Sequence, residues 1–116
     1  MLSREIMFLY HKNTAENSWY SFSLAEQMGN IGSEIYRTMT WKDRDEEQFW
    51  RASERALELF ELTLLDLRWS RAQKNEIVRV REVFADALTG GQEYDSTLES
   101  LDEYLTQFAY VARRKL

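Results

Sequence analysis

The shortage of turn-forming residues constrains this chain more than any other feature of its sequence. It has no proline and only four glycines among 116 residues. Because proline and glycine mark turns and loops, a chain with so few of them predicts a small number of long elements. Apolar residues also recur at steps of three and four, as in the run from Leu24 to Met39. That spacing is typical of amphipathic helices, so the sequence predicts an all-α fold.

Four segments carry the helical periodicity, at about residues 18–41, 44–67, 71–89 and 97–114. The connections between them are short, and short connections place successive helices antiparallel. We therefore expect a single domain over residues 1–116, folded as an antiparallel up-down four-helix bundle.

Small polar residues precede three of the predicted helices and are expected to cap them. Asp43 stands before the second helix, Ser70 before the third and Ser96 before the fourth. Their side chains can accept hydrogen bonds from the first backbone N–H groups of a helix. Gly90-Gly91 is expected to end the third helix, since glycine readily adopts the left-handed conformation that follows many helices.

The charge and the absence of cysteine limit the functions open to the chain. The formal net charge of −5 disfavours nucleic acid and anionic membranes as general partners, without excluding a nucleic-acid role. No run reaches the roughly 18 apolar residues of a membrane span, and the first residues do not resemble a signal peptide. We expect a cytoplasmic protein with no membrane partner. The lack of cysteine rules out disulfides and thiolate metal sites.

The residues that metal or acid–base chemistry requires are also scarce. His11 is the only histidine, whereas di-metal bundles carry two Glu-x-x-His motifs. A Ser-His-Asp triad would have to recruit this same residue from near the chain terminus. We therefore predict no catalytic residue, no metal and no cofactor, and expect a protein that is not an enzyme.

Two weaker patterns suggest alternative functions. Arg4 and His11 resemble the Arg-x4-6-His signature of HEPN-type ribonuclease bundles. This would imply a nucleic-acid-linked module, or a partner in a nucleotidyltransferase or toxin–antitoxin system. Carboxylate pairs on two helices are similar to those that bind Mg²⁺ in all-helical nucleotide pyrophosphatases of the MazG and dUTPase type. They are Glu58 with Glu61, and Glu99 with Asp102. Solvated acidic faces are the interpretation we favour for these pairs.

Polar residues border the apolar stripe of the first helix. Asn30, Glu34, Arg37 and Trp41 follow one another along one flank at helical spacing. Such a cluster is either a ligand-binding corner or a structural polar network, and we favour the network.

A basic flank on the third helix is a second candidate site. Arg71, Lys74 and Arg81 could together hold an anion such as phosphate. Pairing with acidic residues of neighbouring helices is the alternative that we favour, because no glycine-rich loop accompanies these residues to cradle a phosphate.

The second helix is apolar almost all round. Leu59, Leu62 and Leu65 point away from its core stripe, and a helix that is apolar all round has more than one neighbour. In a small bundle the extra neighbour is often a second subunit, so these leucines predict an interface.

Small residues flank the core stripe of the first helix. Ala25, Gly29 and Gly32 would let another backbone approach closely. Together with the leucines of the second helix, this flank predicts a homo-oligomer or a helical protein partner.

Several segments resemble a family of small prokaryotic four-helix-bundle proteins. They are "NIGSEIYR" at 30–37, "ERALEL" at 54–59, "VREVF" at 80–84 and "EYDSTLESLDEYLTQFA" at 93–109. The resemblance implies a bundle and no particular activity. The first segment is also similar to the Asn-Ile-x-Glu-Gly-x-x-Arg segment of bundle proteins encoded by intervening sequences of 23S rRNA genes, which implies oligomerisation. We therefore expect a non-enzymatic, self-associating binding or assembly module.

Overall fold

The computed structural model describes residues 18–94 and 96–114, and this part of the chain is helical. Its helices are α1 (Leu24–Trp41), α2 (Glu46–Leu64), α3 (Arg71–Leu88) and α4 (Leu98–Arg114). No strand occurs in either described range, which confirms the all-α class. α1 packs most extensively against α4 and α2, while α3 makes smaller contacts with α2 and α4.

α1 begins at Leu24, six residues later than predicted. Ser23 is its N-cap and forms a capping box with Glu26: the Ser23 side chain accepts from the Glu26 N–H, and the Glu26 side chain accepts from the Ser23 N–H. Both bonds satisfy donors that the first helical turn would otherwise leave unpaired. Ser18 and Trp19 are helical, but a turn at 20–22 separates them from α1.

α2 is also shorter than expected, beginning at Glu46 and ending at Leu64. Its N-cap is Asp45, whose side chain accepts a hydrogen bond from the Gln48 N–H. The cap assignment to Asp43 is therefore wrong. Asp43 instead has a φ of 62°, a left-handed conformation that Asp tolerates in turns better than most residues.

The predicted cap of α3 is confirmed, whereas the predicted cap of α4 is wrong by one residue. Ser70 caps α3 as predicted, in a capping box with Gln73. At the start of α4 the cap-type bond belongs to Thr97, whose hydroxyl accepts from the Ser100 N–H at 3.0 Å. Ser96, the predicted cap, donates its hydroxyl to the carbonyl of Val83 instead.

Gly90 and Gly91 follow the end of α3 and both adopt positive φ, at 109° and 69°. A Cβ atom at Gly91 would collide with the carbonyl oxygen of Ser96. Glycine is therefore required there by both conformation and space.

The core lies between the helices and is centred on side chains that are almost completely buried. The Phe60 and Phe84 rings lie 6.1 Å apart between centroids and join α2 to α3. Ile31 and Ile35 of α1 and Leu105 of α4 are equally buried. Each such side chain contributes roughly 1.5–3 kcal/mol by leaving water, so these contacts account for much of the stability.

The small flank of α1 packs against α4 of the same chain. A Cβ atom at Gly29 would lie 3.1 Å from the Cα of Ala109, and one at Gly32 would lie 3.0 Å from the Cβ of Leu105. The close approach inferred from the glycines is present, and α4 of the same chain supplies it. Ala25 is half-buried on the same helix.

Candidate functional site

A groove between α1 and α2 contains the polar cluster predicted on α1. It consists of two adjoining cavities of about 350 Å³ and about 290 Å³, with Glu34, Arg37 and Arg55 lining both. We call the whole feature the α1–α2 groove. The larger cavity forms its apolar half and the smaller cavity its basic half.

Apolar side chains from two parts of the chain line the apolar half. Trp19 and Phe22 precede α1 and meet edge to face, with ring centroids 5.8 Å apart. Leu59 and Leu62 of α2 lie beside them and are only 6% and 3% exposed. The interpretation of these two leucines as outward-facing interface residues is therefore wrong, because they belong to the core of the chain.

Three arginines line the basic half, against a single glutamate. Arg37 pairs with Glu34 at 2.8 Å, one turn away on α1. Arg51 and Arg55 project from α2. Arg51 pairs with Glu47 at 2.8 Å and Arg55 approaches Glu58 at 3.9 Å, so each of the three arginines has a carboxylate neighbour.

The four residues of the predicted polar cluster are divided between the two halves. Asn30, Glu34 and Arg37 line the apolar half, whereas Trp41 lines the basic half with the same Glu34 and Arg37. The side-chain amide of Asn30 donates to the carbonyl of Glu26 at 2.9 Å. The polar contacts of the cluster are local to α1, and the choice between a ligand-binding corner and a structural network stays a prediction.

The predicted anion site on α3 is less well supported. Arg81 pairs with Glu61 of α2, as the alternative interpretation required. Arg71 and Lys74 lie at the start of α3, ten and seven residues before Arg81. A phosphate site there stays a prediction.

A buried polar network fixes the end of α2 to the start of α1. The Gln27 amide nitrogen donates to the carbonyl of Trp19 and to the Asp66 carboxylate, both at 3.0 Å. The Gln27 amide oxygen accepts from the indole of Trp69 at 2.9 Å. The indole of Trp19 in turn donates to the hydroxyl of Thr63 at 3.0 Å. Within the described ranges no buried side-chain polar atom lacks a partner, so this network is fully satisfied.

Asp66 and Arg68 close the network at its outer edge. The guanidinium of Arg68 donates to both carboxylate oxygens of Asp66, at 2.7 and 3.0 Å, and also to the carbonyl of Phe22 at 2.6 Å. These bonds from Arg68 lower the pKa of Asp66 to about 2. The guanidinium also lies 4.4 Å above the Trp69 ring centre, within cation–π range.

The same loop presents two leucines to solvent. Leu65 and Leu67 stand on either side of the buried Asp66 and are 59% and 94% exposed. Of the three leucines assigned to an interface, Leu65 is therefore the one that lies at the surface. We call Leu65 and Leu67 the loop leucines.

Sequence reasoning missed both the network and the Ser23 cap. The Ser-x-x-Glu pattern at 23–26 is a capping-box signature and could have located the start of α1. The network had no comparable signal, because Gln27 bonds with Asp66 and Trp69, 39 and 42 residues away along the chain. Only the tertiary fold brings these residues together.

The geometry gives little support to the Mg²⁺ site suggested by the carboxylate pairs. Glu58 faces Arg55 and Glu61 pairs with Arg81, so the acidic pair of α2 already has cationic neighbours. Among residues 18–94 and 96–114 no cluster of three or more His, Asp or Glu side chains could hold a metal ion.

Arg4 and His11 lie outside the described residues. No helix in the described ranges is long and apolar enough to cross a membrane.

Comparison with protein-family models, curated proteins and solved structures finds no match to this chain.

Proposed function

We propose that this chain is a non-enzymatic binding and assembly module, and that it self-associates through the loop leucines in the cytoplasm. The observation that carries the proposal is the contrast between Leu65, Asp66 and Leu67. The middle residue is buried in a saturated network, while its two neighbours project into water.

The network holds the loop leucines in place before any partner arrives. Asp66 is bonded to Arg68 and Gln27, and Trp69 is bonded to Gln27. A surface that is already ordered loses less conformational entropy on binding than a flexible one. Burying a leucine contributes roughly 1.5–3 kcal/mol, so two leucines on an ordered loop form an effective anchor.

We also propose that the helices run up and down, each antiparallel to the next. Contacts between elements support this topology. Gly29 and Gly32 of α1 meet Ala109 and Leu105 of α4, so the residue numbers run in opposite directions. Similarly, α3 and α4 are linked by hydrogen bonds from Tyr104 to Glu76 and from Ser96 to Val83. In this topology the α2–α3 loop lies at one end of the bundle, where a second copy can reach it.

The similarity to bundle proteins from 23S rRNA intervening sequences, which can form rings, agrees with self-association. The surface that we propose differs from the one expected from sequence. Gly29, Gly32, Leu59 and Leu62 pack within the chain. Of the two other predicted residues, Ala25 is half-buried and Leu65 is exposed.

Size-exclusion chromatography with light scattering tests the proposal. We expect the wild-type chain to form a defined assembly at high micromolar concentration, and Leu65→Ser/Leu67→Ser to be monomeric with unchanged helicity. Val111→Ser, at another exposed apolar position, is the matched control and should still assemble. A monomeric wild-type chain at that concentration would refute self-association.

A further inference from the structure

The surface around the loop leucines is basic. Arg68, Arg71 and Lys74 follow these leucines directly, and no acidic residue occurs among residues 67–75. Arg68 is paired with Asp66, but in the described part of the chain no ion pair involves Arg71 or Lys74. This surface therefore has positive charge available for an acidic partner.

A pocket beyond the other end of α2 has the opposite charge. A cavity of about 540 Å³ lies where the α1–α2 loop, the start of α2 and the last residue of α3 meet. Three carboxylates and two cations line it, and no ion pair within residues 18–94 and 96–114 involves those carboxylates. We call it the loop pocket, and its lining is Lys42, Asp43, Arg44, Asp45, Glu46, Phe49, Trp50 and Leu88.

Further acidic residues lie at the end of α3 that reaches the loop pocket. No lysine or arginine occurs from residue 82 to residue 112. Glu82, Asp86 and Glu93 line a second hollow beside the last turns of α3. Unlike charges steer two protein surfaces together, so this end of one molecule attracts the basic surface of another.

The loop pocket also offers apolar surface to a partner. Trp50 is 44% exposed, and its ring meets that of Phe49 edge to face, with centroids 4.9 Å apart. Phe49 and Leu88 pack only partly against the core, so part of each side chain faces the cavity. Leucine side chains that enter the pocket can therefore exchange water for aromatic and aliphatic contacts.

The loop leucines of a chain cannot reach the loop pocket of the same chain. The two features lie beyond opposite ends of α2, which has 19 residues and spans roughly 28 Å at 1.5 Å per residue. A second copy must therefore supply the leucines. Contact between the loops of two copies is less favourable, because it would bring Arg71 and Lys74 of both copies together.

We propose that the loop leucines of one copy dock in the loop pocket of another, so that the assembly joins unlike ends of the molecule. The inference rests on the self-association proposed above and adds the surface that receives the leucines. The leucines lie against Trp50, while Arg71 and Lys74 face the carboxylates of the pocket.

Cross-linking at introduced cysteines tests which surfaces meet. The chain has no cysteine of its own, so Leu67→Cys and Lys42→Cys each carry a single thiol, one at each proposed surface. Leu65 remains in place in both variants. A short bis-maleimide should produce a covalent dimer when the two variants are mixed, and much less when either is treated alone. Mass spectrometry verifies that the dimer contains one chain of each kind.

Substitutions test the loop pocket itself. Trp50→Ser should weaken assembly at least about tenfold, because a large aromatic side chain often carries much of the binding energy of an interface. Tyr36→Ser, at another exposed aromatic position, is the matched control and should assemble like wild type. Mixing Trp50→Ser with Leu65→Ser/Leu67→Ser should restore association, since each variant keeps the surface that the other lacks. Light scattering measures assembly, and circular dichroism verifies that each variant is folded.

Salt dependence separates contact between unlike ends from contact between two loops. The proposed assembly should weaken as salt rises, because it joins opposite charges, whereas a loop-to-loop assembly should strengthen. The proposal would be overturned, with self-association intact, by strengthening in salt, by undiminished assembly of Trp50→Ser or by failure of the mixed variants to associate. Equal cross-linking of Leu67→Cys alone, or no cross-link in the mixture, would also overturn it. A monomeric wild-type chain would instead refute self-association and this proposal together.

Discussion

Asp66 directs its carboxylate into the protein at the end of α2 and is only 4% exposed. Burial alone would raise its pKa, but the hydrogen bonds from Arg68 outweigh burial and lower the pKa from 3.8 to about 2. The folded state therefore favours the ionised form more strongly than the unfolded state does. This difference stabilises the fold by about 2 kcal/mol at neutral pH. The stabilisation is complete well above pH 4 and is lost as pH falls from about 4 to about 2.

Replacing Asp66 with Asn should remove the stabilisation that its ionised carboxylate provides. We expect Asp66→Asn to lower the free energy of unfolding at pH 7 by about 2–3 kcal/mol, because Arg68 loses its charged acceptor. Between pH 4 and pH 2 the variant should lose less stability than wild type, since the group that titrates there is gone. Urea unfolding followed by circular dichroism at pH 7, 4 and 2.5 measures both effects.

Glu99→Gln is the control for the Asp66 experiment. Glu99 is exposed in the first turn of α4, and replacing it should change stability by no more than about 0.5 kcal/mol. If Asp66→Asn behaves in the same way as this control, the network does not stabilise the α2–α3 loop.

At the scale of elements, the packing of α1 on α4 depends on residues without side chains. A Cβ atom at Gly29 would press on the backbone of Ala109, which cannot move as a flexible side chain can. The glycines cost α1 roughly 1 kcal/mol each relative to alanine. Close contact between the two helices offsets that cost.

A larger side chain at Gly29 should therefore separate the two helices. We expect Gly29→Val to lower the free energy of unfolding by roughly 2 kcal/mol, in the range typical of overpacked cores. Ser33→Val, one turn further along α1 at an exposed position, should change it by about 0.5 kcal/mol or less. Thermal melts of both variants provide the comparison, and equal melting temperatures would contradict the close α1–α4 contact.

The helices also show which structural features the sequence alone could predict. The apolar spacing predicted the four helices, and Ser70 marked the start of α3 correctly because a cap is a local signal. The groove walls were predicted only in part. The spacing on α1 marks Glu34 and Arg37, but no sequence pattern marks Arg51 and Arg55 as their neighbours. Facing residues on two helices become neighbours only through tertiary packing.

The leucines of α2 were misinterpreted for a related reason. Their distribution around the helix predicts a second neighbour, and another subunit is the neighbour expected from the sequence. In the fold it is the segment before α1, where Trp19 donates to Thr63 and lies in the same core cluster as Leu59 and Leu62. Helical periodicity cannot distinguish a neighbour within the chain from a partner.

At the scale of the whole molecule, the fold separates surfaces that the sequence places close together. Leu62 lies within the core, while Leu67, five residues later, is almost fully exposed. Asp66 lies between them and closes a turn after α2, since its carboxylate accepts hydrogen bonds from the backbone N–H and the guanidinium of Arg68. The core and the proposed assembly surface are therefore adjacent in sequence but physically distinct.

The same substitution at these two leucines should have opposite consequences for the molecule. Leu62→Glu places a charge in the core without a counter-ion and should reduce the free energy of unfolding by more than about 4 kcal/mol, enough to unfold a domain of this size. Leu67→Glu leaves its charge in water and should preserve the fold within about 0.5 kcal/mol, while dissociating any assembly formed by the loop leucines. Far-ultraviolet circular dichroism with light scattering distinguishes the two effects. A folded, monomeric Leu62→Glu variant would instead restore Leu62 to the interface and remove it from the core.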